Sequence, residues 1–340
     1  MKLLVITQKV DKDDPVLGFF HNWIKTFSKY YESVTVICLY KRKLDLPENV
    51  RVFSLGKEKG KSKIKYIKNF FRYVWNERMN YDKVFVHMNQ EYILLGGWLW
   101  KMFGKEIYMW RNHHAGSFLT DVSAFFCKKI FCTSKFSYTA KYKKTEIMPV
   151  GVDLENFKDE NKDRNTSTIL FVGRVSKSKR VDLFISAIRR INSLGYKVTG
   201  NIVGEILDRE YFNEIRESLR NSHELINFYE SLSHSELGRA YNANNIYINL
   251  SSSGMYDKTI FEAMACGCLP LASNENLRGL ISDDFIFEQN NIEELVWKVE
   301  KLLKYKENER KDAVNDLKEF SRKNSLEMLS KKLFDILSKK

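Results

Sequence analysis

Proline is scarce in this chain, with four residues among 340, and charged residues are interspersed along it rather than gathered in one block. Disordered and low-complexity proteins have the opposite composition, so the sequence predicts a folded, globular protein. Hydrophobic residues make up 44% of the chain, which is ample for real cores. Because 340 residues exceed what one core usually fills, we expect two domains of roughly 150 residues each.

A long apolar run is also missing. The longest nearly apolar stretch, residues 92–100, has nine residues, whereas a helix needs about twenty to cross a bilayer. The opening MKLLVITQKV carries five apolar residues before Thr7 and Gln8, which is too few for the core of a signal peptide. We therefore expect no membrane span, and we expect a first strand at the start of the chain.

Cysteines with motif spacing are absent as well. The five cysteines include no CxxC pair and no histidine at the spacing of a zinc site. Their odd number argues against a disulfide framework. This pattern predicts a cytoplasmic protein in a reducing compartment.

Acidic residues are few in the first half of the chain. Residues 1–150 contain 27 Lys and Arg against 13 Asp and Glu, whereas residues 151–340 contain 29 against 30. All of the excess positive charge therefore lies in the first half. This asymmetry indicates that the first half faces something anionic, such as a membrane surface, a charged glycan or a nucleic acid.

Short aliphatic runs alternate with segments of helical period, which is the pattern of parallel sheets with crossover helices. The polar stretch at residues 158–168 is the predicted linker between the halves. Two doubly wound domains bind ligands at the carboxyl ends of their strands, so function is expected in the loops that follow strands. Strands are predicted at residues 2–7, 34–40, 83–87, 107–110 and 129–133, then from 168 and near 197–203, 225–228, 245–250 and 268–272. Helices of the first half are predicted near residues 18–30, 62–79, 91–102 and 135–143.

The segment FVGRVSKSKRVD places Gly173, Arg174 and Lys179 between a strand and a helix. A planar guanidinium and a compact ammonium at such a turn suit a diphosphate. Two solvated surface side chains would produce the same pattern, so this segment alone does not decide between a site and an ordinary loop.

A second segment follows the strand NIYINL. The loop runs through Gly254, Met255 and Tyr256, and Asp257 is placed to cap the helix that follows. The free N–H groups and positive dipole of a helix N-terminus suit phosphate oxygens. Glu262, one to two turns into the helix, is a candidate acceptor for a ribose diol. The alternative is a surface glutamate on an amphipathic helix.

These segments carry a family resemblance. FVGRVSKSKRVDLFISAI, NIVG at 201–204 and SHSELGRAYNANNIYINLSSSGMYDKTIFEAMACGCLPLAS resemble, in order and spacing, the C-terminal domain of the family 4 retaining glycosyltransferases. The similarity covers about residues 145–305, and MPVGVDLENF at 148–157 resembles the interdomain junction of that family. The resemblance implies an α/β fold of GT-B type, with two doubly wound Rossmann-like domains facing a central cleft.

The same resemblance implies a division of labour along the chain. It implies an acceptor-side domain at residues 1–150 and a nucleotide-sugar-binding domain at 151–320. It implies a C-terminal helix at 321–340 that packs back toward the N-terminal domain.

For single residues, the resemblance implies that Arg174 and Lys179 bind the diphosphate of the donor and neutralise charge on the leaving nucleotide. It implies that Glu262 holds the ribose, with Gly173 beside the diphosphate.

One position departs from the family pattern. A first glutamate usually stands eight residues before the second, and Gly254 occupies that place here. Either the backbone amides from Gly254 through Met255 to Tyr256 contact the sugar, or Asp257 does. A mixed arrangement is preferred, with the amides near the sugar and Asp257 mainly a helix cap. Lys258 and Thr259 complete the predicted donor contacts.

The N-terminal half offers fewer candidates. In the family a glycine loop after the first strand closes over the donor, and Gly18 takes that place. The resemblance puts a histidine near the transferred sugar, which here is His113, with His114 the choice if the register shifts by one. His87 is a further candidate for the acceptor side. The Asp11-Lys12-Asp13 stretch resembles a DxD metal motif but follows the wrong strand, so a solvated loop and no metal are expected.

A basic segment at residues 57–78 is a candidate for docking on an anionic membrane. Residues 57–72 carry seven Lys and Arg against Glu58, beside a stripe of apolar residues at helical spacing. Such a helix lies well on an anionic bilayer. The alternative is an ordinary core-facing helix with solvated lysines.

Together these features predict a metal-independent retaining glycosyltransferase, and within that class a hexosyltransferase. It would need no cofactor, would use a nucleoside-diphosphate sugar as co-substrate and would glycosylate a lipid-linked or polymeric glycan at the inner face of the cell membrane. A basic nucleic-acid-binding protein is one alternative, but it would not explain these motifs, and no RNP, KH or zinc-finger signature occurs, so no nucleic acid partner is expected. A non-catalytic GT-B scaffold is the other, motivated by Gly254.

Overall fold

The computed structural model describes residues 1–14, 16–60, 62–160, 164–220 and 225–339. These residues form two compact units. The first comprises Met1–Gly151 together with the segment from Leu326 onward, and the second is Val152–Ser325.

The first unit contains a parallel seven-stranded sheet in the order β3-β2-β1-β4-β5-β6-β7. The strands are β1 (Lys2–Val10), β2 (Ser33–Lys41), β3 (Val50–Ser54), β4 (Lys83–His87), β5 (Glu106–Trp110), β6 (Lys129–Cys132) and β7 (Thr145–Ile147). Its first four helices are α1 (Gly18–Phe27), α2 (Lys63–Asn76), α3 (Glu91–Met102) and α4 (Phe118–Phe126). Central strand β1 is buried on both faces, which explains its nearly continuous run of Leu, Val and Ile.

The second unit contains a parallel five-stranded sheet in the order β10-β9-β8-β11-β12. The strands are β8 (Asn165–Val172), β9 (Thr199–Val203), β10 (Ile226–Tyr229), β11 (Asn244–Asn249) and β12 (Leu269–Ala272). Its helices are α5 (Val181–Ser193), α6 (Arg209–Leu219), α7 (His234–Ala243), α8 (Lys258–Ala265), α9 (Ile292–Leu303) and α10 (Glu307–Lys323). The strand order reverses between β8 and β11, as it does between β1 and β4 in the first unit. Open α/β sheets bind ligands at the carboxyl ends of strands at such a switch point.

The last helix of the chain, α11 (Leu326–Ser338), belongs to the first unit. Its residues Leu329, Leu333 and Leu337 are fully buried in the core that α1 also covers. The ring of Phe334 packs edge-on against Tyr31, with the ring centroids 5.4 Å apart. The first sheet is therefore covered on one face by helices from both ends of the sequence.

All ten predicted strands are present, and their ends differ from the predicted ends by up to three residues. The predicted linker at 158–168 is wrong in part, because residues 165–168 form the start of β8. The boundary between the two units falls earlier, after residue 151. Residues 161–163 of the predicted linker lie outside the described residues. The predicted helix at 135–143 is also wrong, since only a short 3-10 turn, Tyr138–Lys141, occurs there. None of the helices that the structure describes is long and apolar enough to span a membrane.

Candidate functional site

The two segments singled out in the second half follow neighbouring parallel strands. β8 is followed by Gly173 and Arg174 and by the 3-10 turn Lys177–Lys179. β11 pairs directly with β8 and is followed by the loop that leads into α8. The structure therefore brings residues from both segments together at the switch point of one sheet.

A close backbone contact positions the first of these loops. The N–H of Gly173 donates to the carbonyl of Val203 at 3.0 Å. A Cβ atom on Gly204 would lie 1.9 Å from the carbonyl oxygen of Gly173, so no other residue fits without moving this backbone. Gly204 was not singled out from the sequence alone. Its position directly after a strand was the sequence feature that could have indicated this close backbone contact.

Lys179 bridges the two loops. Its Nζ donates to Ser251 Oγ at 2.7 Å and to Asp257 Oδ2 at 3.0 Å. Its side chain keeps 23% of its surface exposed, so the ammonium is held by the protein but still reaches solvent. The lysine is thus a fixed positive charge at the carboxyl ends of β8 and β11.

Asp257 stands at the N-cap position of α8, but its side chain does not cap the helix. The carboxylate instead accepts from Lys179, from Asn249 Nδ2 at 3.1 Å and from Ser251 Oγ. Burial alone would raise the pKa of Asp257, yet the charge of Lys179 and these hydrogen bonds lower it overall. The prediction of a capping role is therefore wrong, because a cation and two donors compete for the carboxylate more strongly than the backbone does.

A chain of polar groups lies beneath the start of α8. Asn249 Nδ2 donates to the hydroxyl of Tyr247 at 3.0 Å, and that hydroxyl donates to Thr259 Oγ1 at 2.8 Å. Tyr247 is completely buried. The hydroxyl of Thr259 therefore serves to anchor the helix start to β11, and a donor contact by its side chain stays a prediction.

The loop at residues 253–256 is held through its carbonyl groups. Asn276 Nδ2 donates to the carbonyl of Gly254 at 2.9 Å, and Asn274 Nδ2 donates to that of Met255 at 3.0 Å. The hydroxyl of Tyr256 donates to the carbonyl of Asn276 at 3.3 Å. The N–H groups of Gly254, Met255 and Tyr256 donate to no group in the part of the chain that the structure describes. The two asparagines, which the sequence did not single out, leave these amides available to a ligand.

Glu262 lies in the second turn of α8 and is only 4% exposed. Burial raises the pKa of Glu262 to about 7, despite the opposing charge of Lys258 one turn earlier. Burial also lowers the pKa of Lys258. Among the described residues the carboxylate of Glu262 receives no hydrogen bond. A buried acceptor of this kind is ready to receive donors from a ligand.

Arg174 is exposed. Its guanidinium makes neither an ion pair nor a hydrogen bond with any described residue. A cation without a protein partner, close in sequence to Lys179, is free to bind an anion. The described residues contain no group of three His, Cys, Asp or Glu side chains that could hold a metal ion.

The predicted residues of the first unit fall into two groups. Gly18 is the buried first residue of α1, and its N–H donates to the carbonyl of Asp14 at 2.9 Å. His113 and His114 are exposed after β5, with their rings stacked at 4.6 Å, and His113 Nδ1 lies 3.0 Å from the N–H of Ala115. Ligand contacts of Gly18 and His113 stay predictions.

Two interpretations of the first unit are wrong. His87 does not line an open surface: it is 5% exposed and its ring stacks on Phe20 with centroids 3.9 Å apart. The predicted solvated loop is wrong at Asp11, which is 4% exposed and lies 3.9 Å from Lys9 Nζ, whereas the two residues after it are exposed as predicted. His87 is the last residue of β4 and Asp11 directly follows β1, so both lie closer to the core than their polar character indicated.

Three buried polar atoms lie just beyond the carboxyl ends of β4 and β5. Asn89 Oδ1, Gln90 Oε1 and Arg111 Nε have no hydrogen-bond partner among the described residues. The chain turns sharply there, because Met88 adopts a φ of 66°. Buried polar atoms without partners are uncommon and usually mark a bound water or ligand.

Comparison with known proteins agrees with these features. Residues 152–320 match the family model described as glycosyl transferases group 1. The GtfA subunit of UDP-N-acetylglucosamine–peptide N-acetylglucosaminyltransferase from Streptococcus pneumoniae is 25% identical over 134 residues. That match covers 39% of this chain and 25% of the relative, so the chain spans a minor part of the curated relative's length.

Solved structures resemble the whole chain. Anabaena Alr3699/HepE, in complex with UDP, has a TM-score of 0.78 at 15% identity and covers 99% of this chain and 100% of its own. WaaG, a glycosyltransferase involved in lipopolysaccharide biosynthesis, has a TM-score of 0.70 at 15% identity, covering 99% of this chain and 100% of its own. These likenesses confirm the predicted fold class, a GT-B arrangement of two parallel α/β units.

Proposed function

Through residues 152–320 the chain belongs to the group 1 glycosyl transferases, and we propose that it transfers a sugar from a nucleoside-diphosphate sugar to a hydroxyl acceptor with retention of configuration. The observation that carries this proposal is the position of Lys179, which joins the loops after β8 and β11 at the switch point of the sheet. A fixed ammonium at that place suits the diphosphate of the donor.

Arg174 and Lys179 bind the diphosphate together. Arg174 is exposed and unpaired within the described residues, so its fork of donors is free to take two phosphate oxygens. Lys179 adds a charge that Asp257 holds in place. Gly173 and Gly204 keep the backbone beneath them close enough for the phosphates to approach.

Backbone amides bind the sugar in place of the first glutamate of the family motif, whose position Gly254 occupies. The N–H groups of Gly254, Met255 and Tyr256 have no partner in the described chain, which supports this role. The hydrogen bond from Lys179 to Asp257 supports the same assignment, because it occupies the carboxylate that would otherwise be the alternative sugar contact. Glu262 accepts from the ribose diol, which would supply donors to a buried carboxylate that otherwise has none. Lys258 stands next to Glu262 and favours its charged form.

The nucleotide we infer is UDP, and the transferred group is a hexose or its N-acetyl derivative. The name of the Streptococcus relative contains UDP-N-acetylglucosamine, and the Anabaena structure was solved with UDP. Both names are consistent with a uridine diphosphate donor for this chain.

The chemistry proceeds on one face of the sugar. The departing diphosphate guides the acceptor hydroxyl and accepts its proton, and Arg174, Lys179 and the N-terminus of α8 stabilise the charge that develops on the leaving group. Two side-chain cations and free amides supply that stabilisation without a metal ion. His113 orients the acceptor hydroxyl or a hydroxyl of the transferred sugar.

The acceptor is a lipid-linked or polymeric glycan at the inner face of the cell membrane. The excess positive charge of residues 1–150 and the basic segment at 57–78 favour a location at an anionic surface. The polar atoms without partners after β4 and β5 fit contacts to acceptor hydroxyls in the first unit.

Thermal shift against UDP-, GDP-, ADP- and dTDP-sugars tests the proposal. A ligand at about a hundred times its dissociation constant adds about 2.7 kcal/mol to the free energy of unfolding. We expect the largest shift with a UDP-sugar, and a loss of that shift in Arg174→Ala with Lys177→Ala as the control. Slow release of UDP from the sugar nucleotide would distinguish an enzyme from a non-catalytic scaffold. No shift with any nucleotide sugar would contradict the proposal.

A further inference from the structure

Helix α4 buries polar residues and exposes apolar ones. Its buried residues include the polar Thr120 and Ser123, both with no exposed surface. Its exposed residues include Phe118 at 76%, Leu119 at 52% and Phe125 at 81%. A surface helix of a soluble protein normally has the opposite arrangement, with its apolar stripe toward the core. The outer face of α4 therefore has a use other than contact with water.

Helix α3 extends this outer apolar face. It is apolar almost all round, and Trp98 and Met102 point outward with 53% and 63% of their surfaces exposed. Two glycines pack it tightly between its neighbours, since a Cβ on Gly96 would lie 2.9 Å from Phe70 of α2 and one on Gly97 would lie 3.0 Å from Phe126 of α4. The three helices therefore form one continuous layer.

Helix α2 has two different apolar sides. Phe70 and Val74 are completely buried in the core of the first unit, so they are the residues that cover the sheet. Ile64 and Trp75 are not needed there and are 81% and 50% exposed. The ring of Trp75 lies 5.6 Å from that of Phe103, at the end of α3.

All three helices cover the same side of the first sheet. Residues of α2, α3 and α4 share one core cluster, whereas residues of α1 and α11 belong to the cluster on the other side. We name the outward side of this layer the apolar face. Its principal residues are Trp75, Trp98, Met102, Phe118, Leu119 and Phe125. Exposed patches of this kind mark contact sites for a protein or a membrane.

The basic residues beside the apolar face favour an anionic membrane over a protein as its partner. Residues 57–60 and 62–72, in α2 and just before it, carry six Lys and Arg against a single acid, Glu58. Tryptophan side chains are enriched where apolar chains meet headgroups, and lysines beside them meet anionic headgroups. Anionic headgroups would neutralise these basic residues, which a purely apolar partner surface would not do.

We propose that the apolar face inserts into the headgroup and upper acyl region of one leaflet of an anionic bilayer. This inference rests on the proposed function in one respect only, because a lipid-linked acceptor gives the insertion its purpose. It goes beyond electrostatic docking of residues 57–78, since α3 and α4 enter the lipid. Salt separates the two modes: screening at about 1 M weakens attraction between charges but not the burial of apolar surface.

Vesicle flotation of the full chain tests the inference. The vesicles are phosphatidylcholine alone and phosphatidylcholine mixed with phosphatidylglycerol. The variants are Phe118→Ser/Phe125→Ser and Trp98→Ser, with Trp297→Ser as the matched control because Trp297 is 55% exposed in the second unit. We expect the wild type to float with the anionic vesicles and to remain partly bound at high salt. Each variant of the apolar face should lose about tenfold in partitioning, whereas the control should lose none.

Four outcomes overturn the inference, and the first three come from flotation. They are a wild type that does not float, variants that float as the wild type does, and binding that high salt abolishes completely. A fourth is self-association in lipid-free buffer that Phe118→Ser/Phe125→Ser removes, which would make the face an interface between copies. Nucleotide-sugar binding measured on the same lipid-free samples is independent of these results, so its failure would count against the proposed function alone.

Discussion

Lys179 Nζ lies 3.0 Å from Asp257 Oδ2, although 78 residues separate the two in sequence. The pair ties the loop after β8 to the loop that enters α8. It fixes the lysine where two parallel strands end and uses the carboxylate that the sequence had assigned to a helix cap. The geometry of the candidate site therefore depends on an ion pair across two loops rather than on either loop alone.

Replacing Lys179 with alanine should reduce kcat/KM for sugar transfer by about 10²- to 10³-fold, because a charge aimed at the leaving diphosphate is removed. The free energy of unfolding should fall by about 1 kcal/mol or less, since the ion pair is partly exposed. Lys177→Ala, in the same turn, is the control and should leave both quantities unchanged. Near-normal transfer by Lys179→Ala would refute its role at the diphosphate.

Replacing Glu262 with glutamine should change how stability depends on pH. Burial raises the pKa of Glu262 to about 7 from 4.5, so the folded protein binds more protons than the unfolded chain between these values. The free energy of unfolding of the wild type therefore falls as pH rises from 4.5 to 7, by up to about 3 kcal/mol from this group.

The glutamine variant lacks that pH-dependent decrease. Urea denaturation across this pH range should show a flatter profile for Glu262→Gln than for the wild type. Glu214→Gln, an exposed position on α6, should retain the wild-type slope. Identical slopes for Glu262→Gln and the wild type would show that the carboxyl is not held in its neutral form by burial.

Two glycine substitutions should differ sharply in their effect on stability. In Gly204→Ala the new Cβ would meet the carbonyl oxygen of Gly173 at 1.9 Å, so the backbone must shift and stability should drop by about 2 kcal/mol or more. In Gly254→Ala the new Cβ would meet nothing within 4 Å, so melting temperature should be nearly unchanged. Comparable melting temperatures for both variants would contradict the close contact at Gly204.

Replacing His113 with alanine should lower kcat for transfer to the acceptor by about ten- to a hundredfold, the effect of one lost hydrogen bond to a reacting sugar. Donor binding by thermal shift should be unaffected. His114→Ala is the matched comparison, since its ring is also exposed and stacks on that of His113. A larger effect at His114 would move the assignment by one residue.

The strands could be predicted well because buried parallel strands are short runs of mainly apolar residues. β4, Lys83–His87, was predicted with both of its ends correct. Helix α4 was missed because its pattern is inverted, with Thr120 and Ser123 inside. Strand β3 was missed because it is an edge strand whose residues are at most partly buried, so its alternation is weak.

At the candidate site, the sequence indicated two segments that the structure brings together, but it did not indicate the contacts between them. The types and spacing of Arg174, Lys179 and Glu262 pointed to a nucleotide sugar without any coordinates. The switch of Asp257 from cap to ion pair depends on how close β8 brings Lys179, which is a property of sheet pairing. The asparagines that hold the loop at 253–256 directly follow β12, just beyond the end of the quoted motif, so nothing in the sequence indicated their contacts.

Helix α11 has a consequence for the order of events during synthesis. The core of the first unit includes Leu329, Leu333 and Leu337, which follow the whole of the second unit in the sequence. The second unit, Val152–Ser325, is translated completely before they appear. The sheet of the first unit therefore keeps an uncovered apolar surface until the second unit has been synthesised. A chain truncated before α11 would expose that surface permanently, which would make it a substrate for chaperones and proteases.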